Sequence, residues 1–193
     1  MKKIFCIMGK SSSGKDSIYK EIVKDSRIEP LVIYTTRPMR ENEQEGREYH
    51  FVDRGAFEKM KAAGSVIESR TYNTKHGEWT YFTSSSNVDI QKKNYAVIGT
   101  IESYRPIRDY YGKGSVIPIY IEVDDGIRLI RAVERERLEE QPKYAELCRR
   151  FLADSEDFSD EKLREAGIER RFSNNGSFEE CLNEVMGFIE SEL

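Results

Sequence analysis

The chain has 193 residues, 38% apolar and 34% charged, enough for one packed core or a core with a small insertion, and its aromatic and β-branched content excludes a disordered polymer. A formal net charge of −4 argues against broad binding to polymeric nucleic acid, and no apolar run approaches the length of a membrane span. Cys6, Cys148 and Cys181 are widely spaced, follow no signal peptide and have only His50 and His76 for company, which argues against a disulfide framework or a zinc site and for reduced thiols in the cytoplasm.

Residues 3–8 form an apolar run without alternation, so the first element is expected to be a buried, central strand. Residues 9–14 are a Gly/Ser loop, and Ile18, Ile22 and Val23 then recur at helical spacing over 15–23. With a second strand at 31–35, the opening reads strand, loop, helix, strand: a βαβ unit and a parallel sheet. Residues 38–87 break that rhythm. They predict short strands at 49–52 and 66–68, a helix at 55–63 between them, and a hairpin over 71–83 turning at 75–77. The α/β alternation resumes with a helix at 84–93, a strand at 95–101, a helix at 104–111, a buried strand at 116–123 and a helix at 127–138. The polar stretch 135–157 is expected to project from the body, 169–173 to form an edge strand, and 178–189 an amphipathic helix. There is no internal repeat.

The run Gly9-Lys10-Ser11-Ser12-Ser13-Gly14-Lys15-Asp16-Ser17 has the G-x-x-x-x-G-K spacing of a phosphate-binding loop, between a strand and a helix. Glycines let successive N–H groups point inward as an anion nest, and the helix N-terminus adds partial positive charge. Lys15 supplies a mobile point charge for the β and γ phosphates of ATP. The residue directly after the lysine is Asp16, so the hydroxyl that would hold Mg²⁺ is assigned to Ser17; Asp16 either caps the first helical turn or approaches the metal.

Thr35-Thr36-Arg37-Pro38-Met39-Arg40 and Gly46-Arg47-Glu48-Tyr49-His50-Phe51 carry a second signal. Two arginines three apart can converge on one phosphate with planar, permanently charged forks, and Tyr49 adds a neutral donor. These runs resemble the T-T-R-x-x-R and G-x-D/E-Y-x-F motifs of the guanylate kinase family. The resemblance implies that Arg37, Arg40 and Tyr49 hold the phosphate of GMP. It extends to Val66-Ile67-Glu68, where the family's glutamate accepts hydrogen bonds from guanine, and to Tyr81 and Thr83, which would contact the phosphate and the base. It implies a lid with Arg135, Arg137, Arg149 and Arg150 around the transferred group, although Glu139 replaces a third lid arginine. It also places Asn174 near the adenine of ATP.

The fold implied is α/β: a P-loop-type parallel sheet wrapped by helices, with a small mixed substrate-binding insertion and a helical lid. The domain is single over 1–193, with core segments 1–34, 84–134 and 158–193, a nucleoside-monophosphate-binding insertion at 35–83 and the lid at 135–157. The implied function is ATP- and Mg²⁺-dependent phosphorylation of GMP, with small nucleotides as partners and neither membrane nor polymeric nucleic acid. Two positions depart from the family: Ile33 stands where a serine is common, and Ile98-Gly99-Thr100-Ile101-Glu102 stands where the family reads D-x-D. A P-loop kinase of another phosphorylated small molecule, or a non-catalytic binding module of the same fold, are the alternatives.

Overall fold

The computed structural model describes residues 1–74 and 77–193. Its centre is a parallel five-stranded sheet built around β1 (Ile4–Met8). β1 pairs on one side with β7 (Asn94–Ile98), beyond which lies β2 (Ile28–Pro30), and on the other with β8 (Val116–Glu122), beyond which lies β9 (Arg171–Ser173). Every residue of β1 is buried. Ile4, Cys6 and Met8 pack with Ile101, Tyr104 and Ile107 of helix α3 (Ile101–Tyr111) and Leu163 of helix α6 (Asp160–Glu165). Phe5 and Ile7 face the other way, onto Ile18 and Ile22 of α1 (Lys15–Ile22) and Val185 and Ile189 of α7 (Phe178–Glu192). Side chains alternate across the sheet, so a strand covered by helices on both faces must be apolar at every position; that is why its sequence showed no period.

A second sheet of four strands, in the order β4-β3-β6-β5, comes from β3 (Tyr34–Thr35), β4 (His50–Phe51), β5 (Val66–Thr74) and β6 (Gly77–Ser84). Helix α2 (Arg54–Ala62) packs on one face, with Phe57 against Phe82 at 4.9 Å between ring centroids. Asp53 caps α2 by accepting the Ala56 N–H at 2.7 Å. Helix α4 (Asp125–Glu136) and helix α5 (Tyr144–Asp157) complete the chain, and α5 buries no side chain of its own.

Two sequence expectations are corrected. The strand expected at 31–35 is divided: the chain leaves the parallel sheet at Pro30 and enters the second sheet at Tyr34. Within the parallel sheet β2 pairs with β7 and occupies an edge, where a proline costs no ladder bond. The helix expected at 84–93 is a single 3₁₀ turn, Ser85–Asn87, followed by turns. Ser84 accepts the Ser86 N–H and Asp89 accepts the Gln91 N–H, so short polar side chains compete with helical bonding throughout this stretch. The hairpin over 71–83 is present, while Lys75 and His76 of its expected turn lie outside the described residues.

Candidate active site

The phosphate loop is built by backbone demands. Gly9 has φ 157°, and a Cβ there would sit 2.6 Å from the Ile121 carbonyl; Gly14, at φ 87°, leaves no room for a Cβ, which would lie 2.5 Å from Asn174 Nδ2. Ser12 also takes a positive φ, 64°. The loop is thus folded tightly onto β8 and the turn after β9, and it ends at the N-terminus of α1. Asn174 braces it from below: the side chain is buried and its amide donates to the Ser13 carbonyl at 2.8 Å. The Asn174 amide nitrogen is thus engaged by the loop itself. Lys10 reaches Asp125 at 3.2 Å, and Lys15 rests on Asp16 at 3.2 Å.

Helices α4 and α5, which carry the arginines expected in a lid, approach the same loop unequally. Arg135 of α4 lies 3.4 Å from Ser12 Oγ and Arg150 of α5 lies 3.5 Å from Ser11 Oγ. Arg149 is held by Glu146 on its own helix at 2.7 Å and points to solvent, and the exposed Arg137 side chain makes no hydrogen bond among the described residues. Of the four arginines expected in a lid, two are thus brought to the loop. α5 also delivers an unanticipated carboxylate: Asp154 Oδ2 accepts the Ser11 N–H at 2.8 Å. The two helices are joined by Arg128, fully buried, which stacks at 3.7 Å on Phe151 and donates to Asp125 at 2.6 Å and Ser155 at 3.1 Å. Neither Asp154 nor Arg128 belongs to a motif, and only the i, i+3 spacing of Asp125 and Arg128 hinted at a pair.

On the second sheet, the threonine pair aims the arginine. Thr35 is buried and its hydroxyl accepts the Arg37 N–H at 3.1 Å, while Thr36 Oγ1 accepts the Thr80 N–H at 2.9 Å. The Arg37 guanidinium donates to Tyr81 Oη at 3.2 Å and lies over the Tyr49 ring, 5.4 Å from its centroid. Glu43 clamps the other edge with two bonds of 2.7 and 3.0 Å and also accepts the Arg40 N–H at 2.9 Å. The Arg37 guanidinium holds the Glu43 carboxyl below the usual carboxylate range, and Glu43 in turn raises the pKa of Arg37. Burial raises the Tyr49 phenol, which keeps it a neutral donor. The Arg40 side chain is exposed and makes no hydrogen bond among the described residues. Glu43 was missed because an acid among alternating acids and arginines carries no distinguishing spacing.

Glu68 is placed by a β-bulge. The ladder between β5 and β6 slips between Val66 and Glu68, so that Glu68 stands opposite Thr83 and Arg70 opposite Tyr81. Thr83 donates to Glu68 Oε1 at 2.7 Å, and Arg70 Nε donates to Oε2 at 3.1 Å.

Between the loop and this sheet lies a cleft of about 320 Å³, with Gly9, Ser11 and Lys15 on one wall and Tyr49, Arg70 and Tyr81 on the other. A neighbouring cavity of about 580 Å³ shares Ile33, Tyr49 and Ile98 with it. Thr100, on the cleft wall, caps α3 by accepting the Ser103 N–H at 3.3 Å, and Glu102 is exposed in the first turn of that helix. The cleft thus sets an anion nest with a cation opposite a set of cationic and phenolic donors, the arrangement needed to hold two phosphate-bearing molecules face to face. Oxygen donors for a hard cation are present at the start of α1, in the exposed Ser17 hydroxyl and Asp16 carboxylate; this set suits Mg²⁺ that is bound mainly by substrate phosphates and by one or two protein oxygens.

The family model described as Guanylate kinase matches residues 1–191. The guanylate kinase of Thiobacillus denitrificans is 40% identical over 76 residues, 38% of this chain and 36% of that one. The guanylate kinase of Nitrosomonas europaea is 32% identical over 96 residues, 47% of either chain. These alignments span between about a third and a half of the relatives' length. The crystal structure of guanylate kinase from Anaplasma phagocytophilum shares the fold with a TM-score of 0.65 at 16% identity, covering 99% of this chain and 85% of that one.

Proposed function

We propose, since the chain belongs to the guanylate kinase family, that it transfers the γ-phosphoryl group of ATP to GMP, giving ADP and GDP. The observation that carries this reading is the cleft itself, where Lys15 and the phosphate loop face Tyr49 and Tyr81 across one cavity. In this reading residues 9–17 hold the ATP phosphates, with Gly9 and Gly14 permitting the fold of the nest and Asn174 bracing it. Arg37, Arg40, Tyr49 and Tyr81 hold the acceptor phosphate, and Glu68 with Thr83 forms the base end of the pocket. The second sheet serves as the acceptor-binding insertion and α4 with α5 as the lid.

Phosphoryl transfer asks the protein for alignment and for positive charge around the migrating group. Lys15 supplies that charge from the loop. Arg135 and Arg150 add to it from the lid, close enough that a small inward movement reaches a bound γ-phosphate and expels water. No general base is required, because the attacking oxygen belongs to an already ionised phosphate. Mg²⁺, held by Ser17 and in reach of Asp16, would neutralise charge on the ATP phosphates. A cytoplasmic location is part of the reading and is supported by the free thiols of Cys6, Cys148 and Cys181.

Ile33 on the cleft wall favours one second reading, a kinase of the same build with a different phosphorylated acceptor. A coupled assay with ATP across nucleoside monophosphates and sugar phosphates separates the two. Efficient turnover of GMP with weak turnover of AMP is expected; turnover of a sugar phosphate but of no nucleotide would replace GMP with that acceptor class.

A further inference from the structure

We infer that Arg70 delivers positive charge to the phosphoryl group in transit, acting from the sheet wall as Lys15 acts from the loop wall; this rests on the proposed GMP kinase reading. Arg70 of β5 stands directly opposite Tyr81 of β6, and Glu68 stands opposite Thr83. Directly opposed residues of an antiparallel pair project from the same face, so the two pairs form successive rows on one surface. The Glu68–Thr83 row is the base end of the proposed pocket. The Arg70–Tyr81 row is its phosphate end, because Tyr81 Oη accepts the Arg37 Nε–H at 3.2 Å. Arg70 also lines one cleft with Gly9, Ser11 and Lys15 of the phosphate loop, which puts its charge where donor and acceptor phosphates meet.

The Arg70 guanidinium is held but not used up. Its Nε donates to Glu68 Oε2 at 3.1 Å, and its terminal nitrogens make no other hydrogen bond among the described residues. Glu68 keeps its own task at the base end. Thr83 and Arg70 each occupy one acceptor site, one on either oxygen, and an ionised carboxylate offers about four. The buried carboxylate fixes Arg70 in place, so little side-chain freedom is lost when a phosphate arrives. The cleft also needs the charge. Phosphoryl transfer spreads negative charge over three equatorial oxygens. Arg149 is turned to Glu146 on its own helix, Glu139 stands where the family resemblance implies another lid arginine, and Asp154 adds a carboxylate to the cleft wall. Arg70 is carried on a strand, so its charge is in place before any movement of α4 and α5.

The test measures kcat and KM with ATP and GMP, and the kcat/KM ratio of GMP to AMP. The proteins are the wild type, Arg70→Met, Arg70→Lys and Arg70→Ala, the last with and without guanidinium chloride below its denaturing concentration. A donor that acts on the migrating group is lost from kcat, with KM held. One charge-assisted hydrogen bond is worth about 10- to 100-fold. Arg70→Met is therefore expected to lower kcat by that factor, with KM for both substrates nearly unchanged and the preference for GMP over AMP retained. Arg70→Lys keeps a point charge without the fork and is expected to fall between. Free guanidinium is expected to restore part of kcat to Arg70→Ala, which a variant that had merely misfolded does not show. Four results each overturn the role of Arg70 while leaving GMP kinase activity standing: an unchanged kcat in Arg70→Met, a change confined to KM for GMP, a lost preference for GMP over AMP, or a loss that neither lysine nor guanidinium repairs. A wild type that phosphorylates no purine monophosphate overturns both readings.

Discussion

In the proposed reading the two walls of the cleft solve one problem, holding a phosphate dianion, by different means. On the loop wall the donors are mostly backbone N–H groups, fixed by glycine geometry at Gly9 and Gly14 and by a buried asparagine beneath. On the sheet wall they are side chains, aimed by strand pairing and held by neighbours: Thr35 on the Arg37 backbone, Tyr81 and Glu43 on its guanidinium. Each wall also carries an internal carboxylate on its donors, Asp154 on the Ser11 N–H and Glu43 on Arg37. The two carboxylates differ in attachment. Glu43 makes a bidentate, largely buried pair with Arg37 from the same loop segment. Asp154 makes one bond to the loop from a helix that buries none of its own side chains. The first is built as a fixed strut; the second, in the proposed reading of α5 as a lid, is a contact that its movement releases.

The largest effect is expected on the loop wall. Lys15→Met removes the one mobile cation of the nest and should lower kcat by about 10²-fold or more, the scale of losing a single transition-state donor, with the melting temperature little changed because the side chain is not part of the core. Near-normal turnover would mean that the two walls do not share the work in this way. Next comes Arg37→Ala on the sheet wall. It should raise KM for the acceptor by about 10- to 100-fold while leaving KM for ATP nearly unchanged. Because Arg37 is also a buried partner of Glu43, Arg37→Ala should lower thermal stability as well, as Lys15→Met should not. Equal loss of affinity for both substrates would place Arg37 in a shared role and erase the distinction between the walls.

The same contrast explains what could be read from the sequence. The loop wall was legible because its geometry demands glycine at fixed spacing, and few other residues satisfy a cradle that a Cβ would fill. Arg37, Arg40 and Tyr49 stood out through residue type in a short run. Glu43, Arg70, Arg128 and Asp154 were missed because their partners are set by tertiary contact. Arg70 meets Glu68 only because a bulge sets the register, and Asp154 meets Ser11 across 143 residues. The parallel sheet followed from apolar runs, whereas the order of its strands did not: no local pattern says that β7 inserts between β1 and β2. The helix wrongly expected at 84–93 fell where serine and aspartate side chains bond to nearby backbone.

A smaller effect sharpens the difference between strut and releasable contact. In the proposed reading Asp154 occupies a loop donor that would serve an ATP phosphate, so it gives way when nucleotide binds. Asp154→Ala should therefore tighten ATP binding by about two- to tenfold, the net worth of one hydrogen bond. Calorimetric titration of ATP against both proteins measures this. Weaker binding by the variant would show that the carboxylate organises the loop for ATP and does not compete with it.

The smallest effect concerns the strut, and its sign follows from linkage. Hydrogen bonding to Arg37 lowers the Glu43 pKa in the folded protein from an ordinary value of 4.5. A carboxyl depressed on folding stabilises the native state fully above its unfolded pKa, and that contribution fades as the pH falls through the folded value. Glu43→Gln keeps the shape and can still accept a hydrogen bond, but it has no charge to lose. The melting temperature of the wild type should therefore exceed that of Glu43→Gln by a constant margin near neutral pH, and the margin should shrink as the pH drops below about 4.5. Other carboxylates with lowered pKa values, such as Asp125 and Asp160, are present in both proteins and cancel in the difference. The measurement is the gap between two melting curves recorded from pH 7 down to the onset of acid unfolding. A gap that stays constant over that range means that Arg37 does not depend on the Glu43 charge. Glu43 would then be as replaceable as Asp154, and the sheet wall would be as loosely held as the lid.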